Sequence, residues 1–154
     1  MADYKMVEIL LVEDNSFDAE LTMHAFLKSK LANEVRLVRD GAEALDFLFC
    51  RGPFSDRRFD RPPHVVLLDL KLPKVDGLQV LEQVKEDERT RSIPVIVLTS
   101  SKEETDLARS YKLGVNSYIQ KPVNFDEFQK VVQQLGMYWL LLNSKPPVTA
   151  FLTR

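Results

Sequence analysis

Val7-Glu8-Ile9-Leu10-Leu11-Val12-Glu13-Asp14-Asn15 is a short apolar run, rich in branched side chains, that stops abruptly in three polar residues. Such a run reads as a strand covered on both faces, because a strand with one face in water would alternate apolar with polar. Similar runs recur at 35–38, 65–68 and 95–98, with a weaker one at 117–120. Helical patterns lie between and after them: 16 to about 30, 42 to about 51, 78 to about 87, 102 to about 113, and 125 to 142. Continuous apolar strands separated by helices predict a parallel sheet with helices on both faces, each right-handed crossover laying its helix on one side or the other. The expected fold is α/β: a doubly wound, five-stranded parallel sheet.

Helix edges agree with this reading. Asn15 or Ser16 is placed to cap the first helix, Asp76-Gly77 makes a turn before the third, and Gly114 follows the fourth. The stretch 51–63, Arg-Gly-Pro-Phe-Ser-Asp-Arg-Arg-Phe-Asp-Arg-Pro-Pro, is longer than the usual connection and mixes charge with aromatics. It reads as a surface loop, either a solvated connector or a partner contact through Arg57, Arg58 and Phe59.

The chain has 154 residues, which suits one domain of ordinary size. Hydrophobic residues make up 45% and charged residues 29%, a composition that builds a real core. Lys and Arg total 21 against 23 Asp and Glu, so there is no basic surplus to grip a phosphate backbone, and no direct nucleic-acid contact is expected. Cys50 is a single cysteine, and His24 and His64 are too few for a zinc cage. With no positive, apolar leader and no run near ~20 apolar residues, the sequence points to a cytoplasmic protein away from membranes.

Each strong strand ends in a distinctive polar group: Glu13-Asp14, Asp69, Thr99-Ser100-Ser101 and Lys121-Pro122. In an open parallel sheet these carboxyl ends share one edge, and ligands bind where strand order reverses. With order 2-1-3-4-5, strands one and three are neighbours and their acids face each other. Carboxylates ~5 Å apart repel by about 3 kcal/mol per pair at an effective dielectric near 20, so a cation must compensate. Lys121 supplies one charge. Hard oxygen donors without histidine or thiolate favour Mg²⁺, which leaves room for a phosphate oxygen. The site suits phosphoryl chemistry, with Asp69 as a carboxylate nucleophile and Thr99 and Lys121 as phosphoryl contacts. Taken singly, the acids read as helix-start residues, Thr99 and Ser100 as a cap, and Lys121-Pro122 as a turn. Their joint placement on successive strand ends favours the site.

These segments resemble the receiver domain of two-component response regulators, nearly end to end. Leu11-Val12-Glu13-Asp14-Asn15 corresponds to the family's acidic pair, and Leu67-Leu68-Asp69-Leu70-Lys71-Leu72-Pro73-Lys74-Val75-Asp76-Gly77 to its phosphoacceptor segment. Val97-Leu98-Thr99-Ser100 and Tyr118-Ile119-Gln120-Lys121-Pro122-Val123 complete the set. The resemblance implies the flavodoxin-like (CheY-like) three-layer sandwich, with a receiver body over 1–143 and a C-terminal tail over 144–154. It implies Mg²⁺, with Mn²⁺ as a possible substitute, held by Asp14, Asp69 and the main-chain carbonyl of Lys71. Glu13 stands where many relatives have Asp and would act mainly through water, with altered metal affinity. It further implies a cis Lys121–Pro122 bond, Thr99 and Tyr118 as the switch pair, and Ser101 and Lys71 flanking the path of attacking water.

The insertion before the third strand, the segment Ser110-Tyr111-Lys112-Leu113-Gly114-Val115-Asn116 and the ending Met137-Tyr138-Trp139-Leu140 are similar to stand-alone regulators that partner phytochrome-type histidine kinases. The expected role is therefore to accept a phosphoryl group from a sensor histidine kinase, without being a turnover enzyme. With no effector domain expected after Leu142, output would pass by protein contact, dimerisation or return of the phosphoryl group to a relay protein. Phe128, Val131, Val132, Leu135, Trp139 and Leu142 form one helical stripe, and Tyr138, Leu140 and Leu141 extend the apolar surface around the cylinder. That excess predicts a homodimer through the fourth helix, fifth strand and fifth helix, with packing by the tail as the alternative.

Three rivals share parts of this pattern. A haloacid-dehalogenase-type phosphatase needs an acid where Lys71 stands. A flavodoxin-like flavin carrier needs a phosphate loop that Glu13-Asp14-Asn15 would repel. An interaction module that keeps the receiver shape without phosphorylation is countered by intact Asp69, Thr99 and Lys121.

Overall fold

The computed structural model describes residues 8–29, 34–100, 104–121 and 125–136. Five strands, β1 (Glu8–Val12), β2 (Glu34–Val38), β3 (Val65–Leu68), β4 (Val95–Thr99) and β5 (Ser117–Gln120), alternate with α1 (Ser16–Ser29), α2 (Gly41–Leu48), α3 (Gly77–Glu86), α4 (Glu104–Lys112) and α5 (Phe125–Gly136). The strands pair in parallel in the order β2-β1-β3-β4-β5, as the sequence predicts.

The runs of branched residues serve both faces. Leu10, Val12, Val66, Leu68, Val95 and Val97 join one cluster with Ala44, Phe47, Val80, Leu81 and Val84 of α2 and α3. Ile9, Leu11, Val65, Leu67, Ile96 and Leu98 join the other with Ala25 and Phe26 of α1. Every residue of β3 and β4 is buried, whereas the weakly patterned β5 is half-buried at the sheet edge. Each fully buried aliphatic side chain contributes about 1.5–3 kcal/mol, so the central strands anchor the fold.

Capping matches the chemistry of the boundaries. Asn15 Oδ1 accepts from the Asp18 amide at 2.9 Å at the start of α1. Asp76 and Gln79 form a reciprocal capping box on α3. Asp40, which the sequence reading passed over, caps α2 by accepting from the Glu43 amide at 2.7 Å. Gly114 closes α4 with φ +94°, the left-handed geometry that glycine adopts without strain.

The second helix is shorter than its pattern predicts. It ends at Leu48, and Cys50 turns the chain away with φ +55° before a 3-10 turn at Gly52–Phe54. Loop 51–63 is also more than a solvated connector. The Arg57 guanidinium makes two bonds to the Glu8 carboxylate, at 2.6 and 3.1 Å, and lies 3.8 Å over the Phe47 ring. Of the three loop residues offered as partner contacts, Arg57 is thus spent inside the molecule, and Phe59 packs against Phe49 and under Arg89. The apolar stripe of α5, its residues beyond Gly136, the tail 144–154, Ser101 and the Lys121–Pro122 bond lie outside the described side chains and residues.

Candidate functional site

The parallel ladder continues one residue past the strands and places the polar ends. The Glu13 amide donates to the Val38 carbonyl at 3.0 Å, the Asp69 amide to Val12 at 3.1 Å, and the Lys121 amide to Thr99 at 2.8 Å. Residues from β1, β3, β4 and β5 are thereby brought to one edge of the sheet. A side-chain oxygen from each of Glu13, Asp14 and Asp69 lies within 4.8 Å of the others. Glu13 and Asp69 are buried, at 2% and 7% exposure, while Asp14 faces solvent.

Asp69 is held on both oxygens. Its Oδ1 accepts from the Thr99 hydroxyl at 2.8 Å and from the Lys71 amide at 3.2 Å, and its Oδ2 accepts from Lys121 Nζ at 3.1 Å. Thr99 is wholly buried and aimed at Asp69, so its hydroxyl serves the site, where the residue types alone also fit a helix cap. Gly77 allows this approach: a Cβ there would stand 2.3 Å from the Asp69 carbonyl oxygen and 2.6 Å from Leu70 Cα. The pair Asp76-Gly77, expected as a turn, therefore divides its work between capping α3 and making room for the acceptor segment.

Lys121 Nζ touches three carboxylates: Glu13 Oε1, Asp18 Oδ2 at 2.9 Å and Asp69 Oδ2. Burial opposes its charge, but the acids around it win and hold its pKa above the usual lysine range. Asp69 is likewise desolvated, yet hydrogen bonding with Glu13, the charge of Lys121, the Thr99 hydroxyl and the Lys71 amide keep it below the usual carboxylate range. Glu13 goes the other way. Burial and the neighbouring Asp69 outweigh Lys121 and push it up to about 7. The cleft is thus short of positive charge, and Glu13 holds its proton more tightly than a free carboxylate does.

This donor set fits a divalent cation. Clustered hard oxygens without nitrogen or sulfur are the ligands of Mg²⁺ or Mn²⁺, and the cation would replace the proton as the neutralising charge. Glu13, Asp14 and Asp69 each turn one carboxylate oxygen toward the others, the spacing a cation site needs. Lys71 lines, together with Asp14, a groove of about 420 Å³ beside the acids. Tyr118 sits on β5 opposite Val97, half-buried against the cluster that α2 and α3 cover. Among the described residues, Asp18 is the member of the site that sequence reading missed. Its signal in the sequence is its place in the first turn of α1, where a helix start favours an acid.

A doubly wound sheet carrying an acidic pair, a buried aspartate, a threonine and a lysine at its carboxyl edge defines an acidic phosphoryl-handling site of the receiver type. The chain belongs to the response regulator receiver domain family, whose model matches residues 9–133. It is 45% identical over 138 residues to the probable methanogenesis regulatory protein FilR2 of Methanothrix harundinacea, covering 90% of this chain and 86% of that protein. It is 39% identical to the response regulator Rcp1 of Synechocystis, covering 86% of this chain and 88% of that protein. The Mn²⁺-bound crystal structure of Rcp1 matches with TM-score 0.84 at 38% identity, over 91% of this chain and 99% of that one. The bacteriophytochrome response regulator AtBRR matches with TM-score 0.72 at 56% identity, over 91% and 99%. The chain is therefore a receiver-domain response regulator close to the regulators of phytochromes, in a family that binds divalent metal and is phosphorylated on aspartate.

Proposed function

We propose that Asp69 is the phosphoacceptor, with Thr99 and Lys121 as its phosphoryl contacts. A sensor histidine kinase of the phytochrome type would be the donor. The observation that carries this reading is the convergence on one buried carboxylate of a threonine hydroxyl, a main-chain amide and a lysine ammonium. Those donors fix the plane of the carboxylate and leave it ionised. An Asp69 oxygen attacks phosphorus, an O–P bond forms, and the P–N bond to the kinase histidine breaks with its electron pair returning to the imidazole. Lys121 and Thr99 then turn to the phosphoryl oxygens, where the new charge lies.

Asp14, Asp69, the Lys71 carbonyl and, mainly through water, Glu13 would hold Mg²⁺, which would supply the positive charge that lets an anionic donor enter an anionic cleft. Phosphorylation acts outward through Thr99 and Tyr118, because it stabilises the arrangement in which the Thr99 hydroxyl follows the phosphoryl group. Each transfer is a single turnover on this protein itself. We also assign the body to 1–143 with a tail at 144–154, a cytoplasmic location, and a homodimer through α4, β5 and α5. The exposed Leu107 and Tyr111 of α4, at 39% and 53%, support that face. The described residues include no helix long and apolar enough to cross a membrane.

The test is intact mass after incubation with Mg²⁺ and a small acyl phosphate. One phosphoryl group on the wild type, none on Asp69→Asn and none in excess chelator are expected. Equal labelling of the variant would overturn the assignment. Sedimentation at tens of micromolar tests the dimer, and a monomer in both phosphorylation states would remove it.

A further inference from the structure

Lys121 has a partner that phosphoryl acceptance does not explain. Its ammonium has three N–H donors, and three carboxylates surround it: Glu13, Asp69 and Asp18, the last on the first turn of α1. Glu13 and Asp69 belong to the cluster that fits a cation, and Asp18 does not. The main chain of Asp18 is fixed from both ends. Its amide donates to Asn15 Oδ1 at 2.9 Å, and its carbonyl accepts from the buried Thr22 hydroxyl at 2.8 Å. The Asp18 carboxylate is thus delivered to Lys121 by the helix start and not by a mobile side chain alone.

We propose that Asp18 is a positioning residue for phosphoryl transfer: it holds Lys121 while Asp69 is bare and competes with the phosphoryl group for it afterwards. This rests on Asp69 being the acceptor. Once Asp69 carries the phosphoryl group it is no longer a free carboxylate, and Lys121 can follow the new charge outward onto the phosphoryl oxygens only by loosening its hold on Glu13 or Asp18. The side chains of Glu13 and Asp69 are 3% and 8% exposed, whereas that of Asp18 is 32% exposed. Water can replace the lysine at Asp18 but hardly at Glu13, so releasing Asp18 costs least. Asp18 therefore sets the balance between the unphosphorylated and phosphorylated protein. Removing its charge shifts that balance toward the phosphorylated form.

The full chain with Asp18→Asn tests this, because the substitution keeps shape and removes charge; Asp18→Glu restores the charge. Beryllofluoride, a tetrahedral mimic of a phosphoryl group on aspartate, is titrated calorimetrically at saturating Mg²⁺, and Mg²⁺ alone is titrated separately. Asp18→Asn is expected to bind beryllofluoride about fivefold more tightly, the scale of one partly exposed ion pair, with Mg²⁺ affinity unchanged within about twofold. Asp18→Glu returns beryllofluoride affinity toward the wild-type value. Equal or weaker beryllofluoride binding by Asp18→Asn overturns the proposal, as does a tightening that Mg²⁺ affinity shares. Wild type that binds Mg²⁺ but neither beryllofluoride nor phosphoryl groups overturns the acceptor assignment itself, and this role with it.

Discussion

Lowering the pH from 8 to 6 should weaken divalent-cation binding to this protein about tenfold, and Glu13 is the reason. Its carboxylate is 2% exposed and lies against Asp69, and together these push its pKa up to about 7 despite the contact with Lys121. A cation must displace that proton. With a pKa near 7, the competing protonated fraction is large at pH 6 and small at pH 8, which gives about one decade in apparent affinity, or about 1.4 kcal/mol. The sign for folding follows from the same shift. The unfolded chain gives up the Glu13 proton near the ordinary glutamate value of 4.5, and the folded metal-free chain holds it to about 7. Over that interval the folded state binds more protons, so stability falls as pH rises, by up to about 3 kcal/mol at one pKa unit per 1.36 kcal/mol. Saturating Mg²⁺ should flatten the dependence. Calorimetric Mg²⁺ titrations at pH 6, 7 and 8 read the first effect, and urea unfolding with and without Mg²⁺ reads the second. Glu13→Gln should remove the pH dependence of binding between 6 and 8. A wild-type affinity that is flat across that range refutes the reasoning, as does a slope that survives in Glu13→Gln.

Gly77→Ala should cost about 2–3 kcal/mol in urea unfolding, because its Cβ would meet the Asp69 carbonyl oxygen at 2.3 Å, backbone that has nowhere to move. Ser110→Ala should raise stability by about 1 kcal/mol, since the buried Ser110 hydroxyl has no hydrogen-bond partner among the described residues; the midpoint of chemical unfolding checks this. Arg57→Ala should cost about 2 kcal/mol by removing a two-bond ion pair to Glu8 and a cation held over Phe47, with phosphoryl uptake by mass spectrometry unaffected at the far edge of the sheet.

The five strands and the convergence of Glu13, Asp14, Asp69, Thr99 and Lys121 were legible because they rest on local pattern, and the strand order came with the fold class those patterns define. Apolar runs mark buried strands, and polar residues just after them must gather at the carboxyl edge. The ending of α2 was not legible, since Ala42 to Arg51 keeps helical composition and only the positive φ of Cys50 breaks it. Arg57 looked like a loop charge because its partners Glu8 and Phe47 lie far off in sequence. Asp18 was hidden for the same reason: its partner is 103 residues away. Thr99 taken singly fits a helix cap; its placement with the other strand ends points to the site, where its hydroxyl lies 2.8 Å from Asp69 Oδ1. Asp40 could have been read, since Asp-x-x-Glu at 40–43 is a local helix-start signal.

The central claim is that one particular carboxylate becomes the acyl phosphate. Borohydride reduces an acyl phosphate to the alcohol and leaves ordinary carboxylates untouched, so the modified position survives digestion and can be sequenced by mass spectrometry. After treatment with acyl phosphate and Mg²⁺, the reduced residue should be found at position 69 alone. Reduction at Asp14, Asp18 or Glu13, or at no position in phosphorylated protein, would contradict the account.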